Sequence, residues 1–101
     1  MMKVTVLYGI PTSTEHFEQY YKGTHLPLAA KIKGVARSEF TKFVSGPDGS
    51  KPAFYRMAEL FFTTQAQMEQ ALKSPEGQAA VADIQKFATG GVNMVIGSVE
   101  A

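Results

Sequence analysis

Tyr21 and His25 stand four residues apart in the stretch YYKGTHLPLA, residues 20–29, so where helical geometry holds their side chains point the same way. A phenol beside an imidazole can handle a proton, and the negative end of a helix dipole favours the imidazolium. Asp83 lies far along the chain, on a helical segment with Ala80, Ile84 and Phe87. If the two helices lie side by side, it can orient His25 and raise its pKa. Tyr55 and Glu59 share one face of a strand with Met57 and Phe61, and Tyr8 falls on another strand; each could hold a polar substrate atom from a cavity wall. Each also has a plain structural alternative. His25 could cap loose carbonyls at a helix end, Asp83 could be solvated, and Glu59 could pair with a Lys or Arg on a neighbouring strand. His16, in a first helical turn, is expected at the surface.

Few other chemistries remain open. The absence of cysteine removes disulfides, thiolate catalysis and cysteine-based zinc sites, and two histidines without a close carboxylate pair give no metal site. The glycines at 46, 49, 90, 91 and 97 follow turn or cap logic, and none forms a phosphate cradle, so no cofactor is expected. Lys and Arg number 10 against 9 Asp and Glu, scattered rather than aligned, which argues against nucleic acid as a partner. MMKVTVLYGIP alternates like a strand and lacks the long apolar run of a signal peptide or membrane span, so no membrane is expected and the default location is the cytoplasm.

The elements that must position these residues follow from periodicity. KVTVLYG, residues 3–9, alternates as a strand, and Thr12 with Glu15 reads as a capping box opening a helix that carries Phe17, Tyr21 and the region of Leu28 inward. VARSEFTKFVS (35–45) and AFYRMAELFF (53–62) read as strands joined by the turn SGPDGSKP. A helix follows from Thr63 to Lys73, capped by either threonine. Ser74 and Pro75 restart it, Gly90 or Gly91 closes it, and VNMVIGSV is the last strand. The order βαββαβ over residues 1–101 predicts one α+β domain of ferredoxin-like type, a four-stranded antiparallel sheet with helices on one face.

Two conflicts stand out in this frame. Pro27 lacks the N–H that a continuous helix would direct to the carbonyl of Gly23, and its ring strikes that carbonyl, so the helix should kink or end between them. LFF and MVI also place apolar side chains on both sheet faces, although the helices can cover only one. A homodimer whose sheets enclose a barrel-like interior resolves this.

FEQYYKGTHLPLAAKIKGV resembles the helix-and-turn signature of the EthD family, named for ethyl tert-butyl ether degradation: an aromatic pair, then His-x-Pro among apolar neighbours. SPEGQAAVADIQKF is similar to that family's second-helix signature, and the resemblance runs from KVTVLYG to GSVEA. It implies a homodimeric α+β barrel with Tyr21, His25, Pro27 and Asp83 at family-type positions. EthD-like proteins accompany an oxidative degradation system, and relatives on the same barrel include cofactor-free monooxygenases, lactone isomerases and polyketide cyclases or decarboxylases.

Three functions are therefore in play. One is an enzyme working by metal-free acid–base chemistry on a small apolar or oxygenated compound held in the barrel interior. The second is a non-catalytic accessory or carrier protein. The third is a structural dimer with a filled core.

Overall fold

The computed structural model describes residues 1–100, and Ala101 lies outside the described residues. The chain is a ferredoxin-like α+β fold. Its elements are β1 (Met2–Tyr8), α1 (Thr14–Tyr20), a π-helical turn (Tyr21–His25), α2 (Leu26–Ala29), β2 (Arg37–Lys42), β3 (Arg56–Phe62), α3 (Gln65–Lys73), α4 (Pro75–Asp83), a 3-10 turn (Ile84–Lys86) and β4 (Val92–Ser98). All pairings in the β2-β3-β1-β4 sheet are antiparallel.

Registers fix the two faces. Val4 pairs with Leu60 and Ile96, and Val6 with Ala58 and Met94, so these side chains share the face beneath the helices. There Val4, Val6, Tyr8 and Phe62 meet Phe17, Tyr21, Ile84 and Phe87 in one buried cluster. The other face carries Leu7, Met57, Phe61 and Val95 among Lys3, Thr5 and Glu59. Phe61 is shielded there by the Arg37 guanidinium, 3.9 Å above its ring.

Several boundaries differ from the sequence expectation. α1 is capped by Ser13, whose hydroxyl accepts from the His16 amide at 3.2 Å, while Thr12 bonds Thr89 across the chain, so the Thr12–Glu15 capping box does not form. β2 and β3 are shorter than expected, although the Phe43 amide still donates to the Tyr55 carbonyl at 3.0 Å just beyond their ends. Thr64 is the cap of α3, and Ser74 and Pro75 open α4 as expected. Gly91, at φ 95°, takes the left-handed position before β4.

The helix neither ends nor breaks between Gly23 and Pro27. It widens into a π turn in which the Leu26 amide reaches back five residues to the Tyr21 carbonyl. Pro27 then falls in the opening of α2, where a missing N–H costs little. The extra residue in the turn also moves the inward stripe. Leu26 and Ala29, rather than Leu28, continue inward from Tyr21 and His25.

Candidate functional site

His25 and Asp83 meet beneath the helices. Asp83, the last residue of α4, is 6% exposed, as is His25, which overturns the picture of Asp83 as a solvated helical carboxylate. His25 Nδ1 lies 3.1 Å from Asp83 Oδ2, and the Tyr20 hydroxyl donates to Asp83 Oδ1 at 2.7 Å. Both carboxylate oxygens are therefore engaged. Because a carboxylate only accepts, the neutral ring carries its proton on Nδ1, and Nε2 has no partner among the described residues.

The electrostatics reverse one expectation. Burial is the dominant influence and pushes the His25 pKa down, outweighing the upward pull of the Asp83 hydrogen bond and charge. The ring is thus tuned towards the neutral, proton-accepting form rather than the imidazolium. Tyr21 stacks on it with ring centres 5.8 Å apart, and Phe87 closes in at 4.7 Å.

Tyr8 and Tyr21 complete the polar part of the site. Tyr8 is 1% and Tyr21 0% exposed, and neither hydroxyl has a hydrogen-bond partner among the described residues. Burial raises the Tyr21 pKa to about 12 and the Tyr8 pKa further still, Tyr8 also feeling the proximity of Tyr21 and Asp83. Both phenols stay protonated at neutral pH, ready to donate. With His25 they line a narrow cavity of about 40 Å³ whose other walls are apolar, among them Leu26, Ala58 and Leu60.

The remaining sequence candidates lie elsewhere. Tyr55 does not share a face with Glu59, because the chain bends before β3 and turns its ring onto Phe17, 5.0 Å away on the helix side. Its hydroxyl donates to Glu18 Oε2 at 3.0 Å, the oxygen that also accepts from Arg56 Nε at 2.9 Å, while Arg56 Nη2 reaches Glu18 Oε1 at 2.6 Å. This forked pair fastens α1 to β3, and the Arg56 guanidinium sits 5.1 Å over the Tyr21 ring. Glu59 stands on the open sheet face and pairs with Lys3 at 2.7 Å, the alternative weighed for a mid-strand charge. Tyr20 was not anticipated; the doubled tyrosine at 20–21 was the available signal, since adjacent helical residues point to different neighbours. The cavity itself lies between the helices and the sheet of one protomer. It is not in the space that two facing sheets would enclose, because its walls are side chains of the helices and of the sheet face beneath them.

Fold and site together define an α+β protein of ferredoxin-like type, with a buried histidine–aspartate pair beside an apolar cavity. Residues 11–91 match the EthD domain, and the chain belongs to that family. It is 41% identical over 95 residues to an uncharacterised 11.0 kDa protein from the thcB–thcC intergenic region of Rhodococcus erythropolis, spanning 94% of this chain and 91% of that one. The crystal structure of an EthD family protein from Bacillus halodurans superimposes with a TM-score of 0.92 at 33% identity, covering 99% of both chains. A dimeric ferredoxin-like protein of Thermobifida fusca shares the fold at a TM-score of 0.71 and 14% identity, over 97% of this chain and 90% of that one. Among the described residues no helix is long and apolar enough to cross a membrane.

Proposed function

We propose that this EthD protein is a homodimer that binds a small, largely apolar, oxygen-bearing compound beneath its helices. It acts on that compound by metal-free acid–base chemistry of the kind that drives isomerisation, cyclisation or decarboxylation in a catabolic or secondary-metabolite pathway. The carrying observation is the buried His25–Asp83 pair, with Nδ1 engaged, Nε2 without a partner among the described residues, and the ring in the wall of an apolar cavity. A neutral imidazole held in one tautomer is a general base, and Asp83 stabilises the charge that proton uptake creates. The apolar patches of the open sheet face and the dimeric state of the Thermobifida relative support the homodimer. Light scattering on the eluting protein should give twice the mass of one chain.

The test replaces His25 by Gln and measures both turnover and affinity across a panel of small ketones, lactones and phenols. Turnover should vanish while affinity changes little. Binding without turnover in the unaltered protein would instead establish the carrier role in an oxidative degradation system, and an unchanged rate in the variant would remove His25 from the chemistry.

A further inference from the structure

We propose that the Tyr8 and Tyr21 phenols form a paired donor site for the carbonyl oxygen of an elongated ketone, whose α C–H faces His25 and whose apolar tail lies in the groove between α2 and β2. The inference rests on the proposed role of His25 as base.

Two observations carry it. The first is the pair of unmatched hydroxyls. A buried hydroxyl with no acceptor is destabilising, and Tyr8 and Tyr21, which each carry one, both stand in the wall of one otherwise apolar cavity. A carbonyl oxygen has two lone pairs and can accept from both. The second is size. A dry cavity of roughly 150 Å³ takes a benzene ring, so about 40 Å³ receives only the head of a larger molecule. A groove of about 320 Å³ adjoins this chamber and shares Leu26, Ala29, Ile32, Phe40 and Leu60 with it, continuing to Val35 and Ser38. A compound entering carbonyl first leaves its tail along the shared apolar side chains and Val35, with Arg37 and Ser38 also in the groove wall.

The chemistry is an enolisation. His25 Nε2 takes the proton from the carbon beside the carbonyl, and the C–H electron pair forms the new C=C bond. The carbonyl π pair moves to oxygen, where the two phenol hydrogen bonds strengthen as negative charge develops. The imidazolium, held by Asp83, then returns the proton to the same carbon or to a conjugated one. No oxidant or reductant is involved.

Methyl hexyl ketone is a suitable probe, with two separate readouts. The infrared carbonyl band of the bound ketone reports the phenols, and α-deuteration in heavy water, followed by NMR, reports the base. The band should lie below its position in hexane and move back in Tyr8→Phe and again in Tyr21→Phe. Each of these variants should slow exchange by about a hundredfold. Both should also melt higher than the unaltered protein, because each removes an unmet buried hydroxyl. His25→Gln should stop exchange and keep the band shift. An unshifted band in the bound ketone, or no binding of the ketone, overturns the phenol pair whatever His25 does. A shifted band with no exchange in the unaltered protein overturns the enolisation and the role of His25 as base.

Discussion

Replacing Asp83 by Asn probes the centre of the site without any ligand. The carboxylate accepts two hydrogen bonds, from Tyr20 at 2.7 Å and from His25 at 3.1 Å. An asparagine of the same shape offers one acceptor and one donor, so one of these bonds must invert. If the amide oxygen keeps the shorter Tyr20 bond, the amide nitrogen faces His25 Nδ1, which must then accept, and the ring proton moves to Nε2. The free lone pair on Nε2 is lost. A hydrogen bond to a charged group contributes about 1.5–3 kcal/mol, and a neutral bond replaces part of it, so a loss of about 2 kcal/mol is expected. For a domain of this size that lowers Tm by about 8–16 °C. The pKa of His25 should also fall further, since burial lowers it and the Asp83 interactions that oppose burial are gone.

Thermal unfolding by circular dichroism measures the first effect. Long-range nitrogen–proton NMR correlations on the imidazole measure the second, because they distinguish a proton on Nδ1 from one on Nε2. The unaltered protein should show Nδ1–H and the variant Nε2–H. Nε2–H in both, or an Asp83→Asn protein that melts within about a degree of the parent, would refute the account of the pair as a tautomer-fixing device.

The pH dependence of stability should show two separate steps. His25 has a folded pKa below its ordinary 6.5, so above 6.5 both states hold a neutral ring and stability is full. Below it the unfolded chain binds a proton first, and urea midpoints should fall until the folded ring also titrates; His25→Gln should remove this decline. Glu18, held down to about 2 first by its hydrogen bonds to Arg56, contributes stability present above 4.5 and lost as pH falls towards 2, a step that Glu18→Gln should abolish. At Gly77, a Cβ would overlap the Ala71 carbonyl oxygen where α3 and α4 pack. Gly77→Ala should therefore lower the urea midpoint by about 1–3 kcal/mol equivalent, despite alanine's better helix propensity, and a stabilised variant would contradict the packing.

Strand alternation, the Ser74–Pro75 restart and the βαββαβ order were legible because each depends on local chemistry: side-chain period, capping hydroxyls and a ring that tolerates only the first helical turn. The pairing of His25 with Asp83 was legible at the level of topology, since the two helices lie on the same sheet face. Its electrostatic outcome was not, because the direction of the His25 shift depends on how much water the closed site excludes, and residue identity does not give that. Tyr55 was misplaced for a different reason. Alternation predicts a face only while the chain stays in the ladder, and the bend before Arg56 lets Glu18 draw the Tyr55 hydroxyl to the helix side.

The π turn shows how a local misfit builds the site. In α geometry Pro27 would collide with the Gly23 carbonyl, and a helix ending there would leave His25 on an open terminus among loose carbonyls. Widening the turn by one residue accommodates the proline and keeps the chain helical through Ala29, so His25 stays beneath the helix layer at 6% exposure. The wider turn is itself a poor local choice, favoured only where tertiary contacts outweigh it. Those contacts are the ones that matter chemically: Arg56 over Tyr21, Phe87 against His25, and Asp83 on Nδ1. Leu26 and Ala29 then stand in the cavity wall beside Tyr21 and His25.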